Sequence, residues 1–402
     1  MSVTTLAYRF QDKNMKTKIL AVLSLLMLIF LFSRMDSRST ERKINYPLDI
    51  MGKGGAGLTS HANFGMLFMN PAAFALYKDL TVSLLKIGAS INYDWYQFYT
   101  IYDTLSRSGG DLSALSSEQW KTLLNLRAMV GVTGPLAIGY IYDSIGFLLY
   151  NDILTSMVVK QSPGLPYVDF GSYMDVGCLT GFGFEFPLPV FLGKFIKGYG
   201  GLSIKFINRF KVEDHRMSII EAYDMGLSLL SFQKGFLMGQ AIGSDFGFMI
   251  KSEDWAFGLV LRDWFNTSFF WREYDANFKP IENSTNKYEP TYWGFQMDIG
   301  GSYTLHDVLP KYFISDLSFY MDLANITEWS ENFFLKVRIG AETTMFTFLK
   351  IRGGIYKGYP TAGLGFVLPF VTINIAYFTE ELGPLPGSLP QQNLALDVQI
   401  IL

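Results

Sequence analysis

Cysteine is nearly missing from this chain: Cys178 is the only one in 402 residues. A disulfide scaffold and any cysteine-based zinc site are thereby excluded. Histidine is almost as scarce. His61, His215 and His306 lie far apart, so no local metal-ligand spacing exists and no metal or other cofactor is expected. Charged residues make up 17% of the chain, against roughly 25% in globular domains. With a formal net charge of −3, the chain has neither the basic surface that nucleic acid requires nor an acidic disordered tail. Long apolar runs are lacking too. After residue 32 none approaches the ~18 residues of a membrane helix, which excludes a helical membrane protein.

What is present is a leader, many aromatics and a strict alternation. Lys16 and Lys18 precede the apolar stretch ILAVLSLLMLIFLF at 19–32, and polar residues follow it. This order predicts a secretory signal over 1–39, cut between Ser33 and Ser39, with Met15 as a second candidate start and an uncleaved anchor as the alternative. Downstream, Leu202, Ile204, Phe206 and Phe210 alternate with Ser203, Lys205, Arg209 and Lys211. Leu335, Val337, Ile339 and Ala341 alternate in the same way with Lys336, Arg338, Gly340 and Glu342. Period-2 patterning marks strands with one apolar and one polar face. These runs exceed the five or six residues usual in a soluble sandwich. Their length suits tilted membrane strands of roughly ten residues, apolar outward and polar toward a lumen.

The expected fold is all-β: a transmembrane antiparallel β-barrel of about 14 strands, as even-numbered bacterial barrels have, with an N-terminal segment in its lumen. Candidate strands are 80–92, 134–142, 145–160, 171–186, 199–213, 236–251, 254–266, 291–305, 313–324, 332–344, 346–356, 361–368, 371–379 and 393–402. Long links at 93–133, 161–170, 214–235, 267–290, 325–331, 357–360 and 380–392 alternate with short ones, except for 187–198. Long external loops and short periplasmic turns produce such a parity. The stretch 221–230 also alternates but is read as loop, since one more strand would break the parity. Ser116 and Gln119 predict a capping box opening a helix within 111–130. Trp264, Phe265, Phe269, Phe270 and Trp271 suit an interfacial aromatic girdle.

One motif invites a different reading. Gly52-Lys53-Gly54-Gly55-Ala56-Gly57 spells G-x-G-x-x-G, but a phosphate loop must follow an apolar strand and open a helix in a βαβ unit. Here a proline precedes it and no parallel α/β pattern follows. Small residues between a signal and a first strand instead allow compact packing in a crowded barrel mouth, and Asn70-Pro71 marks a turn.

A Gly/Ala-rich lead followed by Asn70-Pro71-Ala72-Ala73-Phe74, ahead of the first strand, resembles the long-chain fatty-acid transporter (FadL) family. Residues 350–366 and 377–392 look like its uncharacterised spirochaete branch. The resemblance implies a fourteen-stranded barrel in the cell outer membrane, with 1–39 as signal, 40–79 as hatch and 80–402 as barrel. It also implies passive uptake of hydrophobic molecules, with fatty acids foremost, and lateral exit into outer-membrane lipid through an opening made by a kinked strand. Asn70, Pro71 and Ala72 carry over as hatch residues; a tight turn before the first strand is the plainer role. The chain departs from the family in having Asn63-Phe64 where acidic residues often precede the motif.

Among lumen-facing charges, Arg209, Arg262 and Arg338 are candidates to clamp a carboxylate; pairing with lumen acids is the alternative. Phe64, Phe68 and Phe74 are candidates to line a greasy path or simply to pack against the wall. Cys178 shares its face with Val176, Phe182 and Phe184 and is expected to meet lipid. No catalytic residues are expected, because His61, His215 and His306 fall in hatch, loop and turn, away from any nucleophile. The barrel is expected to act as a monomer on a hydrophobic small molecule or fatty acid, without nucleic acid. A structural or secretion-accessory barrel working through its external loops is the competing function.

Overall fold

The computed structural model describes residues 47–60, 64–160, 166–188, 196–219, 221, 235–281, 288–306, 308, 314 and 316–402. The expected signal, residues 40–46 of the expected hatch, His61 and the alternation over 222–230 lie outside them. The strands are β1 (Thr81–Asn92), β2 (Arg127–Tyr142), β3 (Ile145–Lys160), β4 (Tyr167–Phe186), β5 (Lys197–Ser218), β6 (Phe236–Lys251), β7 (Trp255–Arg262), β8 (Thr267–Tyr274), β9 (Thr291–Trp293), β10 (Gln296–His306), β11 (Asp316–Leu323), β12 (Val337–Met345), β13 (Leu349–Tyr356), β14 (Tyr359–Val367), β15 (Val371–Glu381) and β16 (Pro390–Ile401).

Each strand pairs antiparallel with its neighbours, and β1–β16 and β5–β6 pairings close the sheet on itself. β8 prolongs β7 along the same side of β6, and β9 leads into β10 beside them. Four of the sixteen strands are therefore halves of two interrupted staves, and the closed antiparallel barrel has 14. Closure leaves no sheet edge, which is what lets strands cross a bilayer. No helix among the described residues is long and apolar enough to do so.

The alternation sorts as the sequence predicts. On β16, Leu394 and Leu396 are exposed outward while Asn393, Ala395, Asp397 and Gln399 are buried inward. Lys205, Arg209, Asp245, Asp298, Arg338 and Arg352 are likewise buried, whereas Phe206, Ile242, Phe257, Phe319, Met321 and Ile339 stay exposed. A charge on the outer face costs about 2–4 kcal/mol near the bilayer midplane, so this sorting is obligatory in a membrane. Cys178 lies on the outer face, half-buried.

Three expectations are corrected. β2 starts at Arg127, so the 93–133 link is shorter than expected and carries a second helix, Tyr93–Arg107, besides Ser117–Leu124 with its capping box. Residues 267–274 form β8, not loop. Phe269 and Trp271 are buried inside with Trp293, leaving Phe265 and Phe270 exposed on the outer face.

Candidate functional site

The segment 47–79 fills part of the lumen in short pieces: a helix at Leu48–Gly52, a second at Met66–Met69, and a 3₁₀ turn at Pro71–Leu76. Nearly every described residue from 47 to 75 is buried. Short helices suit it, because Gly54 and Gly55 adopt positive φ of 72° and 71° and break any longer run.

The G-x-G-x-x-G loop does cradle an anion, though not a phosphate. The Gly57 and Leu58 N–H groups donate to Oδ2 of Asp322 on β11 at 2.6 and 3.0 Å. Gly54 N–H donates to the Thr361 hydroxyl at 2.9 Å. The wall accepts this loop because it too is bare. A Cβ at Gly340 on β12 would stand 2.0 Å from the Lys53 carbonyl oxygen. Lys53, fully buried, donates to Ser60 Oγ at 2.8 Å and sits 4.2 Å over the Tyr320 ring.

Asn70 does more than turn the chain. Its Oδ1 accepts from Ala72 N–H at 3.0 Å, capping the Pro71–Leu76 turn, and its Nδ2 donates to the Leu58 carbonyl at 2.9 Å. One carboxamide thus ties the glycine-rich half of the segment to the Asn-Pro-Ala half. Pro71 and Ala72 are buried against β5 and β6, where a Cβ at Gly247 would lie 2.1 Å from Asn70 Oδ1. Gly247→Ala should push this turn off the wall for about 1–3 kcal/mol of overpacking. Protease should then cut within 47–80 at concentrations that spare the wild type; an unchanged digestion pattern would contradict that docking.

The candidate arginines hold the structure together. Arg262 donates from Nε to Asp298 at 2.6 Å and from its two terminal nitrogens to the Phe68 and Met69 carbonyls at 2.7 and 2.8 Å. Arg209 grips Asp175 through two 2.7 Å bonds, with Phe269 and Trp293 rings beside it at 5.1 and 5.2 Å. Arg338 lies 5.6 Å from the Tyr356 ring centroid.

Two cavities lie between the segment and the wall formed by β16, β1, β2 and β3. The larger, about 180 Å³, has Leu48, Met51, Met129, Tyr356 and Phe378 as apolar lining, with Lys86 and Asp397 among its polar groups. The smaller, about 60 Å³, is lined by Phe64, Phe68, Leu148 and Tyr150 and shares Lys86, Asp152 and Asp397 with the first. Phe74 lines neither; it is packed against β3 and β4 at Gly146 and Gly181. Arg209, Arg262 and Arg338 also line neither.

The β1–β2 ladder beside these cavities is interrupted, although β1 keeps its pairing with β16 there. β1 and β2 pair up to Ser83↔Gly139 and resume at Gly88↔Thr133, so Leu84–Ile87 and Gly134–Ile138 leave the ladder. Gly134 has φ 86° and Pro135 has no N–H to donate. Asn151 on β3 patches the break: its Oδ1 accepts from Leu136 N–H and its Nδ2 donates to the Gly134 carbonyl, both at 2.8 Å.

No protein-family model matches the chain, and no curated protein matches it in sequence. Solved barrels align along most of its length. The Pseudomonas putida toluene transporter TodX does so at 8% identity and TM-score 0.41, covering 90% of this chain and 99% of TodX. The Ralstonia pickettii toluene transporter TbuX aligns at 11% identity and TM-score 0.43, covering 89% and 98%. Outer membrane phospholipase A of Escherichia coli aligns more weakly, at 9% identity and TM-score 0.22 over 87% and 97%. None of these likenesses assigns a ligand or a reaction to this chain.

Proposed function

We propose that this chain is an outer-membrane channel for passive uptake of hydrophobic molecules, with residues 40–79 as its hatch, 80–402 as a single working barrel and 1–39 as the export signal. The observation that carries the reading is the cavity between the lumen segment and the β16–β1–β2 wall, lined in part by Leu48, Met51, Met129 and Phe378 and directly beside the broken ladder. A greasy molecule entering from the loop end would rest there and leave sideways at Leu84–Ile87 into lipid, without crossing the aqueous periplasm. Fatty acids are the ligand class that the sequence resemblance implies. Replacing Asn70 and Pro71 together by alanine removes the cap and the tie to Leu58, a loss of about 1–3 kcal/mol. The barrel should still assemble, and uptake of a radiolabelled hydrophobic probe by cells should change severalfold. Unchanged uptake would remove the hatch role.

A second reading has its own observation. The loop helix Tyr93–Arg107 buries Ile101 and Leu105 but leaves Tyr93, Tyr96 and Tyr99 exposed at an i, i+3 spacing. Tyrosine is enriched where proteins dock, so this face suits a barrel that presents its loops to a partner. Co-purification of a stoichiometric protein, lost when the three tyrosines become serine, would favour it.

A further inference from the structure

Resting on the uptake reading, we propose that the cavity rejects carboxylate head groups and takes hydrophobic molecules whose polar end donates hydrogen bonds, a hydroxyl or a protonated amine. Asp397 is the residue that sets this preference. Lys86 is the one cation among the described residues lining either cavity, and it is already engaged: its Nζ lies 3.4 Å from Asp397 Oδ2.

Asp397 cannot swing away to release it. Its other oxygen accepts from Asn374 Nδ2 at 2.8 Å. Asn374 Oδ1 accepts from Arg352 at 2.9 Å, and Arg352 Nε donates to Glu342 at 2.6 Å. The chain of contacts Glu342–Arg352–Asn374–Asp397 holds the carboxylate on both sides and presents it to Lys86. Other inward cations are committed as well: Arg209 to Asp175, Arg262 to Asp298 and two carbonyls, Lys205 to Asp245 and Asp263.

The remaining charges around the cavities are negative. Asp49, Asp152 and Glu380 line one or both of them in addition to Asp397. An incoming carboxylate meets no free cation and several like charges in a poorly solvated wall, which disfavours its ionised form. A hydroxyl or ammonium group meets acceptors instead. Selectivity here comes from the repulsive element as much as from the attractive one.

The test compares radiolabelled decanoate, decan-1-ol and decylammonium at neutral pH by equilibrium dialysis against the barrel in nanodiscs, with protein-free nanodiscs subtracted. The wild type should hold the alcohol and the ammonium at least ~10-fold more tightly than decanoate, a difference of about 1.4 kcal/mol. Asp397→Asn keeps the shape, frees Lys86 and removes one negative charge, so decanoate affinity should rise about 10-fold while decylammonium affinity falls. Heat-modifiable migration on gels verifies folding; if that variant does not fold, Asp152→Asn is read in its place and should shift both affinities in the same directions. Decanoate binding the wild type as tightly as the alcohol, or an unchanged order in the variant, overturns the inference while sparing uptake. Failure of all three probes to bind overturns both.

Discussion

Arg262→Met should free the lumen segment from the wall while the barrel stays closed. The guanidinium makes three short contacts, one to Asp298 and two to the Phe68 and Met69 carbonyls at the end of a four-residue helix. That helix has no further turn in which to satisfy its last carbonyls, so Arg262 acts as its cap. Removing it leaves the buried Asp298 carboxylate without its paired cation, with the Asn325 N–H donating to it at 2.6 Å. Breaking one side of a buried pair costs about 3–5 kcal/mol. Heat-modifiable migration should persist, since the ladder of β7 does not depend on this side chain. Limited proteolysis should become rapid between residues 47 and 80. Wild-type protection of that segment in a folded R262M barrel would show that the clamp is dispensable.

Arg209→Met should instead weaken the barrel wall itself. Arg209 is fully buried, bidentate to Asp175 directly across the β4–β5 ladder, and flanked by Phe269 and Trp293. The variant strands a buried carboxylate, and its urea midpoint should report a loss of about 3–5 kcal/mol. Replacing Asp175 by leucine in the same molecule removes the stranded charge and should restore most of that loss. A single variant within about 0.5 kcal/mol of wild type, or a double variant no better than the single, would contradict the pairing. Were Arg209 a ligand clamp, the variant would keep its stability and lose only bound ligand.

These pairs illustrate what the sequence could and could not tell. Alternation places Arg209, Arg262 and Asp175 on the inner face, because period 2 is a property of one strand at a time. Which acid faces which arginine depends on register between strands, and Asp175↔Arg209 pairing emerges only when β4 and β5 are laid side by side. β8 has no clear alternation to read, because its inner Phe269 and Trp271 and its outer Phe270 are all aromatic. The positive φ of Asp263 and Asn266 also cuts it from β7. The first half of β2 was hidden by Gly134-Pro135, since proline is expected at a strand's start and not within it; here it marks the broken ladder beside the cavities. The helix Tyr93–Arg107 is aromatic on both faces, which blurs its amphipathic period. The glycine-rich loop was legible as a packing device, but its wall partners, Gly340 and Asp322, lie hundreds of residues away.

The most direct test of the uptake account is native mass spectrometry of the barrel released from its own membranes in mild detergent, with organic extraction of whatever is bound. The account predicts a hydrophobic small molecule on the wild type. It should be absent from Ala395→Phe, a substitution that fills the larger cavity at a buried wall position. A wild-type barrel with no small molecule and a protein attached through its loops would contradict it.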